Sequence, residues 1–190
     1  MTLNAYKRIL MERLTEKRYL HSLAVADEAA RLAKKYGADP DRAYLAGLLH
    51  DILKDAPKEE MLQTMERFGI ILTDIEKNAP KLWHAMAGAC FVRRQLDIED
   101  GEIIRAIRYH TTARKNMSLL EKILYLADFT SADRDYPGVE DMRKAVEQGL
   151  EKAMTEALSF TITDLVGEGN PIHPDTFEAY NQIALQRRGA

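Results

Sequence analysis

The sequence predicts an all-α protein, a bundle of roughly eight to ten helices. Apolar residues recur at helical spacing along nearly the whole chain of 190 residues. Residues that favour helix caps stand where several of these apolar patterns begin or end. Strand signals are almost absent, because the best of them, GIILT at 69–73, is too short to support a sheet.

Helix boundaries in the first half of the chain follow from caps and prolines. Asp39-Pro40 fits an N-cap followed by proline at the first helical position, which predicts a helix through about Lys54. The segment Asp55-Ala56-Pro57 interrupts it, since proline cannot continue a helix. Gly37 and Gly69 each follow a helical pattern, as C-terminal caps do.

The second half of the chain carries similar signals. Asp100 is the expected cap of GEIIRAIRYH, and Ser118-Leu119-Leu120-Glu121 is a capping box that opens the helix LLEKILYLADF. A long helical pattern then runs from Val139 to Val166 and ends at Gly167.

Composition limits the class of protein. Hydrophobic residues make up 46% of the chain, which is enough for one well-cored domain over residues 1–190. The net charge of −3 predicts no bulk attraction to nucleic acid. No apolar run approaches the length of a membrane span, and the charged N-terminus lacks the apolar segment of a secretory signal. A single cysteine, Cys90, excludes an internal disulfide. We therefore expect a cytoplasmic protein without a nucleic-acid or membrane partner, and a homodimer stays open.

Ionisable side chains stand inside the apolar helical patterns. His110 lies on the apolar stripe of Ile103 and Ile107, and Asp128 follows Leu124 by one turn. A lone histidine on such a face is usually a core residue bonded to a carbonyl, whereas an inward carboxylate requires a cation. Four of the five histidines lie on four different predicted helices: His21, His50, His84 and His110.

His50 and Asp51 form the strongest local signal for a metal. Adjacent helical residues point about 100° apart, so an imidazole and a carboxylate there can both reach one point beside the helix. With His21, His84, His110 and Asp128, five helices would donate inward groups to a bundle core. Without a nearby thiolate, this set favours iron, manganese, zinc or similar ions over calcium.

Two neighbouring residues add to the prediction. Gly88, one turn after His84, has no side chain and so leaves space for another group beside the His84 imidazole. Lys54 is +4 from His50 and +3 from Asp51, so it shares their helix face. An ammonium beside a metal cluster needs an anion such as phosphate between them. The alternative is a solvated lysine at a helix C-terminus, where it favours the helix dipole.

The order of His21, His50-Asp51 and Asp128 resembles the HD superfamily of metal-dependent phosphohydrolases. His84 and His110, which lie between the pair and Asp128, resemble members of that superfamily with an expanded metal site.

Longer stretches narrow the resemblance to one family. The chain contains, in order, RYLHSLAVA, AGLLHDILKD, LWHAMAG, IRYHTTA and LADFTSADRDYPGV. Together they resemble the bacterial symmetrical bis(5′-nucleosyl)-tetraphosphatases of the YqeK type, with ADRDYPGV the most specific part. The match covers about residues 18–139, and NPIHPDTFEAYN extends it toward the C-terminus.

The resemblance implies an all-α HD domain that cuts diadenosine tetraphosphate symmetrically into two molecules of ADP. It implies iron as the metal, with manganese, cobalt or zinc as alternatives. The implied ligands are His21, His50, Asp51 and Asp128. His84 and His110 would either bind a second metal, with Asp51 as the bridge, or contact phosphate. The implied catalytic residues are His50, Asp51, His84 and His110.

The same resemblance implies a nucleotide-binding set, in which Arg134 is the expected phosphate clamp. Its members are Lys54, His84, His110, Thr111, Asp128, Arg134, Asn170, Pro171, Ile172 and His173. Without the resemblance, Arg134 would rank as a surface partner of Asp133 or Asp135. His173, in a loop rich in glycine and proline, could equally be an exposed histidine near a helix start.

Other functions stay open at this stage. A nucleotidase or a hydrolase of guanosine alarmones would use the same metal and water chemistry. A non-catalytic nucleotide sensor could use the metal as a binding anchor. A helical domain with satisfied core histidines is the simplest alternative of all.

Overall fold

A computed structural model describes residues 1–188 of the chain, and this part is all-helical. The predicted fold class is therefore confirmed, with eleven α-helices over residues 1–188 rather than eight to ten. A short 3-10 turn at Pro80–Leu82 leads into the sixth helix. The helices are α1 Leu3–Arg13, α2 Glu16–Tyr36, α3 Pro40–Leu49, α4 Lys58–Arg67, α5 Asp74–Asn78, α6 Trp83–Gln95, α7 Gly101–Tyr109, α8 Leu119–Thr130, α9 Val139–Gln148, α10 Leu150–Gly167 and α11 Pro174–Arg188.

The predicted caps are present. The Asp39 and Asp100 side chains accept from the first backbone N–H groups of α3 and α7. Ser118 forms the capping box of α8 with Glu121. Gly37 ends α2 in the left-handed conformation, at φ 78°, which costs little without a side chain. Cap chemistry thus fixes where these helices begin and end.

The helix from Asp39 is shorter than predicted. It ends at Leu49, and residues 50–55 continue in tight turns, such as the bond from the Lys54 N–H to the Asp51 carbonyl. The His50 ring bonds the Gly47 carbonyl at 2.7 Å. That carbonyl would otherwise accept the next helical N–H, so the ring competes with continuation of the helix.

The predicted continuous helix over 139–166 is also wrong. Gly149 is extended, at φ 159° and ψ 148°, and separates α9 from α10. Glycine opposes an unbroken helix at this point because it gains more conformational freedom outside the helix than other residues do.

The site lies where α2, α3, α6, α7 and α8 meet. α2 packs on α3 and on α8, and α7 packs on α6 and α8. The closest approach is at Gly47, where a Cβ atom would lie 2.7 Å from the Ala26 Cα. Only glycine permits this spacing. None of the helices in residues 1–188 combines the length and apolar character needed to cross a bilayer.

Candidate metal centre

Six ionisable side chains from five helical segments converge on one point of the bundle. Five of them are buried, and the Asp128 side chain is 19% exposed. They come from α2, the end of α3, α6, the end of α7 and α8: His21, His50, Asp51, His84, His110 and Asp128. The structure therefore brings these side chains together in the bundle core, as the sequence predicted.

One half of the cluster joins α2, α3 and α8. His21 Nε2 lies 3.0 Å from Asp128 Oδ1. His50 Nε2 lies 3.6 Å from Asp51 Oδ2 and 3.9 Å from Asp128 Oδ1. The donor atoms of His21, His50 and Asp51 lie close enough together to share one ion.

The other half lies on the opposite oxygen of the same aspartate. Asp51 Oδ1 is 3.0 Å from His84 Nε2 and 3.5 Å from His110 Nε2. The two imidazole nitrogens are 3.2 Å apart. Asp51 thus stands between two groups of imidazoles, with one carboxylate oxygen toward each.

Backbone and carboxylate groups orient three of the four rings from behind. His50 Nδ1 bonds the Gly47 carbonyl, and His110 Nδ1 bonds the Ile107 carbonyl at 2.8 Å. His21 Nδ1 lies 2.8 Å from the Asp133 carboxylate. A ring that donates from Nδ1 turns the lone pair of Nε2 toward the cluster. This arrangement is typical of metal-binding histidines.

The cluster fits a divalent cation on its donor chemistry. His50 Nε2 and Asp51 Oδ1 are buried without a hydrogen-bond partner in the described chain, which costs free energy unless a cation satisfies them. Two nitrogens each about 2.1 Å from one ion lie roughly 3.0 to 3.4 Å apart at ordinary bond angles. The 3.2 Å between His84 and His110 falls in this range. The cluster is therefore a divalent metal site.

The charges of the cluster suit that role. Burial opposes ionisation of Asp51 and Asp128, but the facing histidines outweigh it and hold both pKa values well below the ordinary range. Burial lowers the pKa of His50 to about 4 and also lowers the pKa of His84. Charged carboxylates at Asp51 and Asp128 thus face neutral imidazoles at His50 and His84, the protonation state that binds metal.

His21 differs in its electrostatics. Burial opposes its protonation, yet the hydrogen bond and charge of Asp128, with Asp133 behind the ring, raise its pKa. A proton therefore competes with a cation at this ring more than at His50.

Lys54 lies inside the site and not on a solvated helix end. Its Nζ is 3.2 Å from His84 Nε2 and 3.8 Å from Asp51 Oδ1, with 28% of the side chain exposed. Burial lowers its pKa. The predicted spacing relative to Asp51 holds, although a turn and not a helix face provides it.

Arg134 pairs with Asp128 and not with its sequence neighbours. Its guanidinium donates to the Asp128 side chain and, from Nε, to the Asp128 carbonyl at 2.6 Å. It also approaches His21 Nε2 at 3.5 Å. The alternative of a surface pair with Asp133 or Asp135 is therefore wrong, because the turn after α8 folds the guanidinium back over the cluster.

The remaining nucleotide-binding candidates are Thr111, on the turn after α7, and residues 170–173, which directly precede α11. Thr111 directly follows His110, and its hydroxyl is buried without a hydrogen-bond partner in the described residues. Asn170 and Pro171 are exposed, and Ile172 is half-buried. His173 is buried and lies 3.6 Å from Glu76, so the idea of an exposed histidine is wrong. The Glu76 backbone carbonyl accepts a hydrogen bond from the Trp83 indole N–H, which connects this segment indirectly to His84.

Gly88 does not serve the ring of His84 as predicted. A Cβ there would meet Ile52, Ile107 and the His50 carbonyl at ordinary distances of 3.7 to 3.8 Å. The position is an ordinary packing contact between α6 and its neighbours.

Three residues of the site escaped sequence reasoning. Asp133 supports His21, and Arg18 lies 3.5 Å from Asp51 Oδ2. Arg143 donates to the Thr130, Ser131 and Arg134 carbonyls and holds the turn that carries Arg134. Only the adjacency of Asp133 to Arg134 in ADRDYPG was a signal.

The chain belongs to the HD-domain family, whose model, described as HD domain, matches residues 18–133. Its relatives include proteins named symmetrical bis(5′-nucleosyl)-tetraphosphatase. The one from Bacillus subtilis is 41% identical over 90% of this chain and 92% of its own. The one from Halalkalibacterium halodurans is 43% identical over 95% of this chain and 96% of its own. The family resemblance seen in the motifs is thereby confirmed.

A solved structure agrees in fold. It is described as a predicted HD superfamily hydrolase involved in NAD metabolism, from Clostridium acetobutylicum. It is 38% identical, covers 98% of both chains and superposes with a TM-score of 0.95.

Proposed function

We propose that this protein hydrolyses diadenosine tetraphosphate and related dinucleoside polyphosphates symmetrically, giving two nucleoside diphosphates. The observation that carries the proposal is the buried cluster around Asp51, which satisfies the requirements of a metal-dependent hydrolase. The substrate follows from the relatives of this name, which match nearly the whole chain at 41% and 43% identity.

The metal ligands are assigned from the two halves of the cluster. His21, His50, Asp51 and Asp128 would hold the first ion. Asp51, His84 and His110 have the geometry to hold a second, with Asp51 as the bridge. Iron is the proposed metal, and manganese, cobalt and zinc suit the same nitrogen and oxygen donors.

The protein's own cations would position the polyphosphate. When bound, the metal lowers the pKa of water and polarises phosphoryl oxygens. Phosphoryl transfer otherwise depends mainly on positioning and on neutralisation of charge. Lys54 and Arg134 flank the cluster on the Asp51 side and the Asp128 side. The free hydroxyl of Thr111 can donate to a phosphate oxygen. We assign Asn170–His173 to the nucleoside.

The proposal extends to the whole chain. One hydrophobic core runs from Tyr6 to Ile183, which supports a single HD-type domain over residues 1–190. A cytoplasmic location, a homodimer and the lack of a nucleic-acid partner stay predictions from the sequence.

Turnover of diadenosine tetraphosphate by the metal-loaded protein tests the function. We expect two ADP per substrate, measured by chromatography. Production of AMP and ATP, or no turnover with iron, manganese or cobalt, would contradict the proposal. Mononucleotides and guanosine alarmones in the same panel test the other hydrolase functions. Asp51→Ala should abolish turnover, whereas a wild type that binds nucleotide without turnover would be a sensor.

A further inference from the structure

A cavity of about 660 Å³ opens beside the metal centre, next to Lys54 and His84. Four of its lining residues are cations: Arg18, Lys54, Lys58 and Lys81. None of the eight residues that line it is an aspartate or a glutamate. The cavity is therefore suited to an anion.

The cations come from separate elements, so they are not the solvated face of one helix. Arg18 precedes His21 by one turn on α2 and reaches Asp51 at 3.5 Å. Lys58 is the first residue of α4, where Pro57 offers no side-chain cap to the free N–H groups. Lys81 lies in the 3-10 turn before α6. The converging cations favour phosphate, and the glutamates in the first turn of α4, Glu59 and Glu60, do not line the cavity.

Apart from His84, the rest of the lining is apolar. Ala56, Met61 and Pro80 complete the wall beside the cations. An apolar surface next to charged groups suits a nucleoside attached to phosphates, and the volume is that of a small-molecule site. The eight lining residues include no asparagine or glutamine, so no side-chain amide reads the edge of a base.

The position relative to the cluster suggests which ligand the cavity takes. Arg134 covers the cluster at Asp128 and His21, whereas the cavity adjoins it at His84, next to Lys54. A symmetrical cut places the central anhydride of the substrate at the metal centre. The two identical halves must then extend away from it on different sides.

We infer that this cavity binds the second nucleoside diphosphate half of the substrate, with Arg18, Lys58 and Lys81 as its phosphate contacts. The inference rests on the proposed function for the identity of that ligand. Lys54 lies between cavity and cluster and serves both.

Calorimetric titration of the metal-loaded protein with ADP tests the inference, together with kinetics on diadenosine tetraphosphate. The double variant Lys58→Ala/Lys81→Ala removes two exposed cations without disturbing the core. Lys77→Ala is the matched control, because Lys77 is exposed, lies one turn before Lys81 and pairs with Asp74 outside the cavity. Thermal melting checks that each variant is folded.

We expect two ADP per chain in the wild type and in Lys77→Ala, and one in the double variant. The KM for diadenosine tetraphosphate should rise about tenfold in the double variant, with kcat changed less than twofold. One ADP per wild-type chain, or a double variant with the wild-type KM, overturns the inference.

The two proposals fail separately. Two ADP sites, one of them lost in the double variant, in a protein without turnover would uphold the cavity and refute the reaction. Symmetrical turnover that the double variant retains with unchanged KM would uphold the reaction and refute the cavity.

Discussion

Asp133 supports the imidazole of His21 from behind, with 2.8 Å between its carboxylate oxygen and Nδ1. The two residues are 112 positions apart in the chain. On the other side of the ring, Nε2 faces Asp128. Ser131 in turn donates to Asp133 at 2.7 Å and fixes the carboxylate. A carboxylate–histidine pair of this kind orients a metal ligand and raises its basicity.

Asp133→Asn should therefore weaken metal binding roughly 10- to 100-fold. The amide keeps the shape of the side chain but loses the charge that favours the correct ring tautomer. Chelator competition followed by metal analysis measures the change. Asp135→Asn, an exposed neighbour on the same turn, is the control and should bind as the wild type does. Equal metal affinity in the two variants would contradict the supporting role of Asp133.

Removal of the metal should lower the thermal stability of the protein. Chelation leaves His50 Nε2 and Asp51 Oδ1 buried without a partner. A ligand present at about 100 times its Kd contributes roughly 2.7 kcal/mol, so Tm should fall by roughly 5 to 10 °C. Melting curves before and after chelation measure this fall, and added iron, manganese or cobalt should reverse it. An unchanged Tm would indicate a core of satisfied histidines.

The metal-free protein should lose stability as the pH falls from about 6.5 to 4. The pKa of His50 is about 4 in the fold, below its ordinary 6.5. In this window the unfolded chain binds a proton that the fold excludes, which lowers the free energy of unfolding by about 3 kcal/mol. His84, whose pKa is also lowered, acts in the same direction.

His21 acts in the opposite direction at higher pH. The raised pKa of His21 stabilises the fold fully below pH 6.5, and this contribution is lost as the pH rises through the folded pKa.

Urea unfolding of dialysed, metal-free protein across both pH ranges gives the free energy of unfolding as a function of pH. The variant His50→Gln, which cannot titrate, should show a flatter profile between pH 6.5 and 4. Identical slopes for the two proteins would contradict the assignment to His50.

Gly47→Ala should destabilise the protein severely. The new Cβ would lie 2.7 Å from the Ala26 Cα and 2.9 Å from its nitrogen, and neither backbone atom can move aside cheaply. Overpacking of this kind costs about 1 to 3 kcal/mol or more. Gly167→Ala is the control, because a Cβ there meets nothing within 4 Å. Denaturant unfolding compares the two, and similar stabilities would show that α2 and α3 can separate.

Sequence reasoning recovered the fold class because caps and apolar periodicity are local. The capping box at Ser118 and the caps at Asp39 and Asp100 lie where their local patterns placed them. The two errors in helix length arose from features of single residues, which apolar periodicity does not reveal. At His50 a side chain takes a backbone carbonyl, and at Gly149 a single extended residue divides a continuous pattern.

The sequence by itself determined the all-α class, and its inward histidines and aspartates already formed a candidate ligand set. Only the tertiary structure placed Asp51 between two imidazole groups, set Asp133 behind His21 and turned Arg134 onto Asp128. It alone brought Arg18 and Lys81 to one cavity. The physical reason is that periodicity tells which face of a helix is buried. The packing of the helices against one another decides which buried and exposed groups meet across the chain.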